Sequence, residues 1–222
     1  MSVHERRQRE QAQRRKLIIS AARELAESVG WNAVTTRRLS DHIEYSQPVL
    51  YKHFKGKEDI VRAVALEGFG EMADALQKAR AAAGSPRARF EAAARCYTRF
   101  ASTNRTLYEA MFMLNTDLAF GGPDSPEDLV RCFDELKSSL IEVAGNRDPE
   151  TFTEVVWASL HGLVTLEGAG RLRAGLQEER LAMLVQQHFE PQVLDDQPQD
   201  DEASHAKGAG SSLAGSFNGS RD

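Results

Sequence analysis

Residues 35–57 read Thr-Thr-Arg-Arg-Leu-Ser-Asp-His-Ile-Glu-Tyr-Ser-Gln-Pro-Val-Leu-Tyr-Lys-His-Phe-Lys-Gly-Lys, two short helical patterns with a polar break between them. Leu39 and Ile43 stand four apart, so they share the buried face of a helix that Thr35 or Thr36 can cap, with Arg37 and Arg38 outside. Glu44, Tyr45 and Ser46 form the turn. A second helix starts near Ser46 with Pro48 in its first turn, where a missing amide costs nothing, and it buries Leu50 and Phe54. Gln47, Val49, Tyr51, Lys52 and His53 then face outward. Amide, phenol, ammonium and imidazole groups in one exposed row suit base edges and phosphates, and Val49 offers an apolar surface to a thymine methyl. The pattern is that of a helix-turn-helix whose second helix reads DNA.

The preceding segment is expected to bury Leu17, Ile18, Ala21, Leu25 and Val29 on one helix that ends at Gly30, with Trp31 packed back on the same small module. Residues 1–16 carry Arg6, Arg7, Arg9, Arg14, Arg15 and Lys16 among Gln and Glu, which reads as a frayed helix or as an arm able to reach a minor groove. Residues 1–57 hold 12 Lys and Arg against 6 Asp and Glu, a balance of +6, so the remainder carries −11 in a chain of net charge −5. A basic head on an acidic body is an asymmetry suited to nucleic acid.

Beyond the motif the periodicity stays helical. One long helix runs from Lys57 to about Ala83 with Ile60, Val64, Leu66, Met72 and Leu76 inside, and it links the small module to the body. Gly84-Ser85-Pro86 ends it. Further helices follow from Pro86 to Thr103, over 105–115, and from Glu127 to Ala144 after a loop at Thr116 to Pro126. The next pattern, Glu150 to Arg173, carries Val155, Trp157, Ser159, Leu160, His161, Leu163 and Leu166 over most of its circumference, which predicts burial on more than one side. Gly162, Gly168 and Gly170 suit close packing of two helices there. A last helix spans Leu176 to about Phe189. From Asp195 the chain turns to Asp, Gln, Pro, Gly and Ser, with six acidic and two basic residues over 195–222, a composition expected to be disordered.

Thr35-Thr36-Arg37, the run Gln47-Pro48-Val49-Leu50-Tyr51-Lys52-His53-Phe54 and the following Lys57 resemble the signature of tetracycline-repressor (TetR) family transcriptional regulators, and the likeness covers residues 14 to about 62. Trp157 with His161-Gly162 resembles a C-terminal domain type, the Trp/His-Gly (WHG) type, found in part of that family. The resemblance implies an all-α chain: a three-helix helix-turn-helix domain at 12–62 is joined by a long helix to an effector-binding and dimerisation domain at 63–194. It also implies a homodimer that binds double-stranded DNA at a palindromic operator and is released by a small molecule, with the last two helices as the dimer interface.

On side-chain chemistry and on that family pattern, Arg37 and Gln47 are the base readers, since both can engage a purine edge bidentately. Pro48 and Val49 touch methyl groups. Ser46 lies at the start of the same helix, and Thr36, Tyr51, Lys52, His53 and Lys57 are phosphate partners. In the body, Tyr97, Phe100, Tyr108, Met111, Phe112, Phe133, Trp157 and His161 are candidate lining for a pocket that takes a small apolar or aromatic effector. The same residues would also serve a solid core. Glu109 or Glu167 could pair a cation.

Other classes have less to stand on. A body acting as an enzyme through His161, Glu109 or Cys96 lacks a Gly-rich phosphate loop, a His-Glu-x-x-His motif and a nucleophile elbow. Cys96 and Cys132 have no metal-ligand spacing, and nothing in the sequence calls for a cofactor. A ligand-free architectural DNA binder would share the basic head and differ in reading no sequence. Apolar stretches fall short of the ~20 residues of a membrane span, and the charged start lacks a secretion signal's apolar core, so a cytoplasmic chain without a membrane partner is expected.

Overall fold

The structure, a computed structural model, describes residues 3–189, and every regular element among them is helical. In chain order they are α1 (Val3–Val29), a 3-10 turn (Trp31–Ala33), α2 (Thr36–His42), α3 (Gln47–Tyr51), α4 (Lys57–Ala81), α5 (Pro86–Thr103), α6 (Arg105–Phe112), α7 (Glu127–Ala144), α8 (Pro149–Gly168) and α9 (Gln177–Gln186). The composition-based expectation for 195–222 lies outside the described residues, as do residues 190–194 of the expected body.

The small module follows from its caps and its buried face. Thr35 Oγ1 accepts the Arg38 amide at 3.1 Å and opens α2. Glu44, at φ 56°, turns the chain in the left-handed region, and Pro48 occupies the first turn of α3. Ile18, Ala22, Trp31, Leu39, Leu50 and Phe54 are buried together, and each large one contributes on the order of 1.5–3 kcal/mol by leaving water. Two expected core residues of α1 are not in it: Leu17 is 45 % and Val29 39 % exposed, while Ile19, Ala22 and Ala26 are buried. The helix phase explains Leu17, because Ile18/Ile19, Ala21/Ala22 and Leu25/Ala26 make a stripe two residues wide that turns it away, whereas Val29 keeps the stripe's phase and is exposed as the last residue of α1. The basic start is helix rather than arm, and residues 3–17 are exposed throughout.

The long α4 belongs to both halves of the fold and packs against α1 as well as α5, α6 and α7. Its interior residues Ile60, Val64, Phe69, Met72 and Leu76 are buried. At Gly68 the crossing with α6 is close: a Cβ there would lie 2.7 Å from Met111 Sδ and 2.9 Å from Leu107 Cδ1, so those side chains would have to shift. The sequence suggests close approach at Gly162 and Gly168 instead, yet among the described residues a Cβ at either meets nothing within 4 Å.

Helix α8 ends at Gly168, five residues before the expected Arg173. Gly170, at φ 66°, reverses the chain, with the Arg171 amide on the Leu166 carbonyl and the Gly170 amide on that of Glu167, both at 2.9 Å. Within the chain α8 buries a single side, through Phe152, Thr153, Val156 and Leu160. Its opposite face exposes Val155 (54 %) and Leu166 (44 %), and α9 exposes Met183 (72 %). No helix among the described residues is long and apolar enough to cross a membrane.

Candidate nucleic-acid interface and body cavity

The α2–α3 surface presents its polar residues much as their spacing predicts. Arg37, Ser46, Gln47, Pro48, Tyr51 and Lys52 are exposed, and Thr36, Val49 and His53 are half-buried. Thr36 Oγ1 and Tyr51 Oη lie 3.3 Å apart, which ties the start of one helix to the end of the next. Lys57 is engaged inside the fold, since its ammonium donates to the Trp31 carbonyl at 2.5 Å. Arg15, outside the expected set, stacks its guanidinium 4.3 Å over the Phe54 ring and donates to the His53 carbonyl at 3.1 Å. Burial, then the charges of Arg14, Arg15 and Lys52, lower the pKa of His53, so it stands neutral among cations at pH 7. The middle of α1 therefore adds positive charge beside the end of α3. The exposed pair Arg14–Arg15 at that point in the sequence was the available signal.

Two side chains carry this module onto the body. Trp31 Nε1 donates to the Thr106 carbonyl at 2.8 Å, and Arg23 donates to Asn104 Oδ1 at 3.2 Å and to Glu71 at 2.6 Å. Both Asn104 and Thr106 stand at the start of α6. The middle of α6 carries Tyr108 and its far end Phe112, so one eight-residue helix touches the small module at its start and the body's aromatic cluster beyond it.

That cluster joins five of the eight candidate lining residues. Trp157 Nε1 donates to Tyr97 Oη at 3.0 Å, Tyr97 and Tyr108 hydroxyls meet at 2.8 Å, and Tyr108 Oη lies 2.6 Å from His161 Nδ1. Indole can only donate, so every proton finds an acceptor when Tyr97 donates to Tyr108 and Tyr108 donates to a neutral His161. Phe112 packs among Tyr108, Trp157 and His161 with centroids 4.7, 5.9 and 5.5 Å away. On one side lies a cavity of about 400 Å³ lined by Tyr97, Phe112, Phe133 and Trp157 together with Phe69, Met72 and Phe120. Phe100 and Met111 are buried in the packed interior and line neither this cavity nor the larger cleft. Phe120 is invisible to periodicity because it falls in the Gly-rich loop; an aromatic residue in such a loop was the clue.

A more open cleft of about 850 Å³ runs past Tyr108 and is edged by Arg95, Arg99, Arg105 and Arg180 with Glu109, Glu167 and Glu178. Glu167 pairs with Arg180 at 3.9 Å, and Arg95 with Glu178. The smaller cavity is the better small-molecule site despite its size, because its walls are aromatic and apolar.

Burial raises both cysteine thiols, Cys132 to about 12, so neither is a thiolate at neutral pH. Burial lowers the pKa of His161 and that of His188. An unfolded histidine near pH 6.5 takes a proton more readily than these, so their contribution to stability is present above that pH and lost as pH falls toward their folded values. The thermal midpoint should accordingly drop as pH falls below about 6.5. In His161→Phe the drop should be shallower; an unchanged slope would remove His161 from the explanation.

Comparison with known proteins gives matches in both halves. The model of the family described as bacterial regulatory proteins, tetR family, matches residues 18–64, and that of the tetracyclin repressor-like C-terminal domain matches residues 90–190. The chain is 43 % identical over 51 residues to the class C tetracycline repressor protein of Escherichia coli, 23 % of each chain. It is 38 % identical over 47 residues to the class G protein of Vibrio anguillarum, 21 % of this chain and 22 % of that one. These matches thus span less than a quarter of the curated relatives. Among solved structures, a protein of unknown function from Rhodococcus sp. RHA1 is 25 % identical with a TM-score of 0.67, over 78 % of this chain and 92 % of that one. The fatty acid degradation regulator FadR from Bacillus halodurans is 16 % identical with a TM-score of 0.62, over 77 % and 94 %.

Proposed function

The chain belongs to the tetR family of bacterial regulatory proteins, DNA-binding transcriptional regulators rather than enzymes, and we propose on that premise that it is a homodimeric repressor of a palindromic operator, released by a small molecule. The observation that carries the reading is the α2–α3 face. Arg37, Gln47 and Lys52 stand exposed there with no side-chain partner among the described residues, and their planar or cationic groups fit base edges and phosphates.

Dimerisation is supported by the outer face of α8, where Val155, Gly162 and Leu166 form an apolar strip, and by Met183 on α9. The room at Gly162, unfilled by any of the described residues, suits a second helix packed close. Two reading helices about 34 Å apart would then meet successive major grooves. Release is supported by α6, which holds Trp31 and Arg23 at its start and borders the aromatic cavity at its end. A ligand that shifts α6 alters how the DNA-side module is held, and a coupling of about 1–3 kcal/mol loosens the operator some 5- to 150-fold.

Counterion release supplies the test. Four phosphates neutralised per subunit give a slope of log affinity against log salt on the order of −7 for the dimer. A slope nearer zero would contradict operator binding through this face.

A further inference from the structure

We infer, resting on the reading of the aromatic cavity as the effector site, that its ligand is a planar aromatic cation of two or three fused rings, held between Trp157 and Phe120 with Glu154 as its charge partner. The rings of Phe120 and Trp157 lie 10° from parallel with centroids 6.5 Å apart, and both line the cavity of about 400 Å³. A ring sandwiched between two others needs them about 7 Å apart, two carbon–carbon contact distances. Phe120 is 48 % exposed on the loop between α6 and α7, and its other ring neighbour is Phe69, edge-on at 6.0 Å. Its face can therefore move to admit a ligand without disturbing a helix. The volume lies at the small end for small-molecule sites and limits the number of rings.

Charge selects the sign. Among the described residues the one basic residue lining this cavity is Lys137, already held by Asp134 at 2.9 Å and Glu150 at 3.2 Å. Glu154 stands one turn before Trp157 on α8, exposed at the cavity edge, with no ion pair among the described residues. Three carboxylates against one ammonium leave the mouth negative, and the ring faces carry the negative lobes of their quadrupoles. Both favour a cation over its neutral isostere and disfavour an anion. The larger cleft has the opposite edge, with Arg99 and Arg105 unpaired among the described residues, so an aromatic acid would go there instead.

Equilibrium dialysis of the full chain against three tricyclic probes tests this: N-methylacridinium, neutral acridine at mildly alkaline pH, and anthracene-9-carboxylate. The cation should bind roughly tenfold tighter than the neutral ring, and the anion more weakly than either. Glu154→Gln should bring the cation to within about threefold of the neutral ring and leave the neutral ring unchanged. Phe120→Ala should weaken the cation and the neutral ring together, and Glu109→Gln, in the other cleft, should change neither. Anion preference, an order unaffected by Glu154→Gln, or no binding of the cation would overturn the assignment.

The release reading is scored separately by DNA affinity with and without the cation, using Phe120→Ala protein to correct for dye intercalated in DNA. Binding in the expected order with DNA affinity unchanged would support the ligand class and overturn release. The reverse order with DNA released would do the opposite.

Discussion

Gln47→Ala weakens operator binding by about 2–6 kcal/mol, because a bidentate side chain on a purine edge carries roughly 1–3 kcal/mol and a two-fold complex loses it twice. Arg37→Ala has an effect of similar size. Neither change should touch the fold, since both side chains are exposed and without partners among the described residues. Their effect should concentrate at particular base pairs: wild-type protein distinguishes the operator from a singly altered site, and the variant distinguishes them less. Lys52→Ala is the contrast. Removing an ammonium that neutralises a phosphate lowers affinity about equally on all sequences and makes the salt slope shallower by about 1 for each phosphate left unneutralised. Titrations of wild type and the three variants on operator and altered site separate the two behaviours. An equal loss on every sequence for Gln47→Ala would mean that Gln47 positions rather than reads.

Trp31→Ala costs about 3–5 kcal/mol of folding stability, a large part of the roughly 5–15 kcal/mol typical of a whole domain. The indole is 2 % exposed, the residue's carbonyl holds the Lys57 ammonium, and its Nε1 reaches Thr106 at the start of α6. Trp31→Phe keeps most of the apolar volume and removes the indole donor, so its stability loss should be nearer about 1 kcal/mol. Its informative consequence lies in coupling. If α6 passes ligand occupancy to the DNA-side module through this bond, Trp31→Phe binds ligand normally and releases operator less completely. Urea unfolding measures the first effect, and operator affinity with and without ligand measures the second. Full release in Trp31→Phe would move the coupling to Arg23 or to α4.

Local chemistry was the legible part of this chain. Helical periodicity between Gly- and Pro-rich breaks predicts helices from Pro86 to Thr103 and from Glu127 to Ala144, and α5 and α7 have those bounds, with Ser85 Oγ accepting the Ala88 amide and Pro86 in the first turn of α5. The α2–α3 motif was legible for the same reason, as caps, turn and buried pairs all lie within a few residues of one another. Helix α8 is shorter than its pattern because apolar residues such as Leu172 continue the periodicity past Gly170, where backbone conformation rather than hydrophobicity ends it. Periodicity also identifies which side chains turn inward without saying what they meet. It put Tyr97, Tyr108, Trp157 and His161 in the body, but their hydrogen-bonded chain joins α5, α6 and α8 across 60 residues of sequence. The same limit hid the Gly68 crossing, which depends on two side chains from α6. Phe120 escaped because a loop residue has no periodicity to betray its neighbours.

If the proposed function holds, the α2–α3 face reads sequence as a two-fold pair. The direct measurement is selection of bound fragments from the source genome by the purified full chain at near-physiological salt, repeated with Gln47→Ala. The expected result is an enriched inverted repeat with half-sites about one helical turn apart, blurred or lost with the variant. Fragments sharing no motif, or a motif that Gln47→Ala leaves sharp, would contradict it.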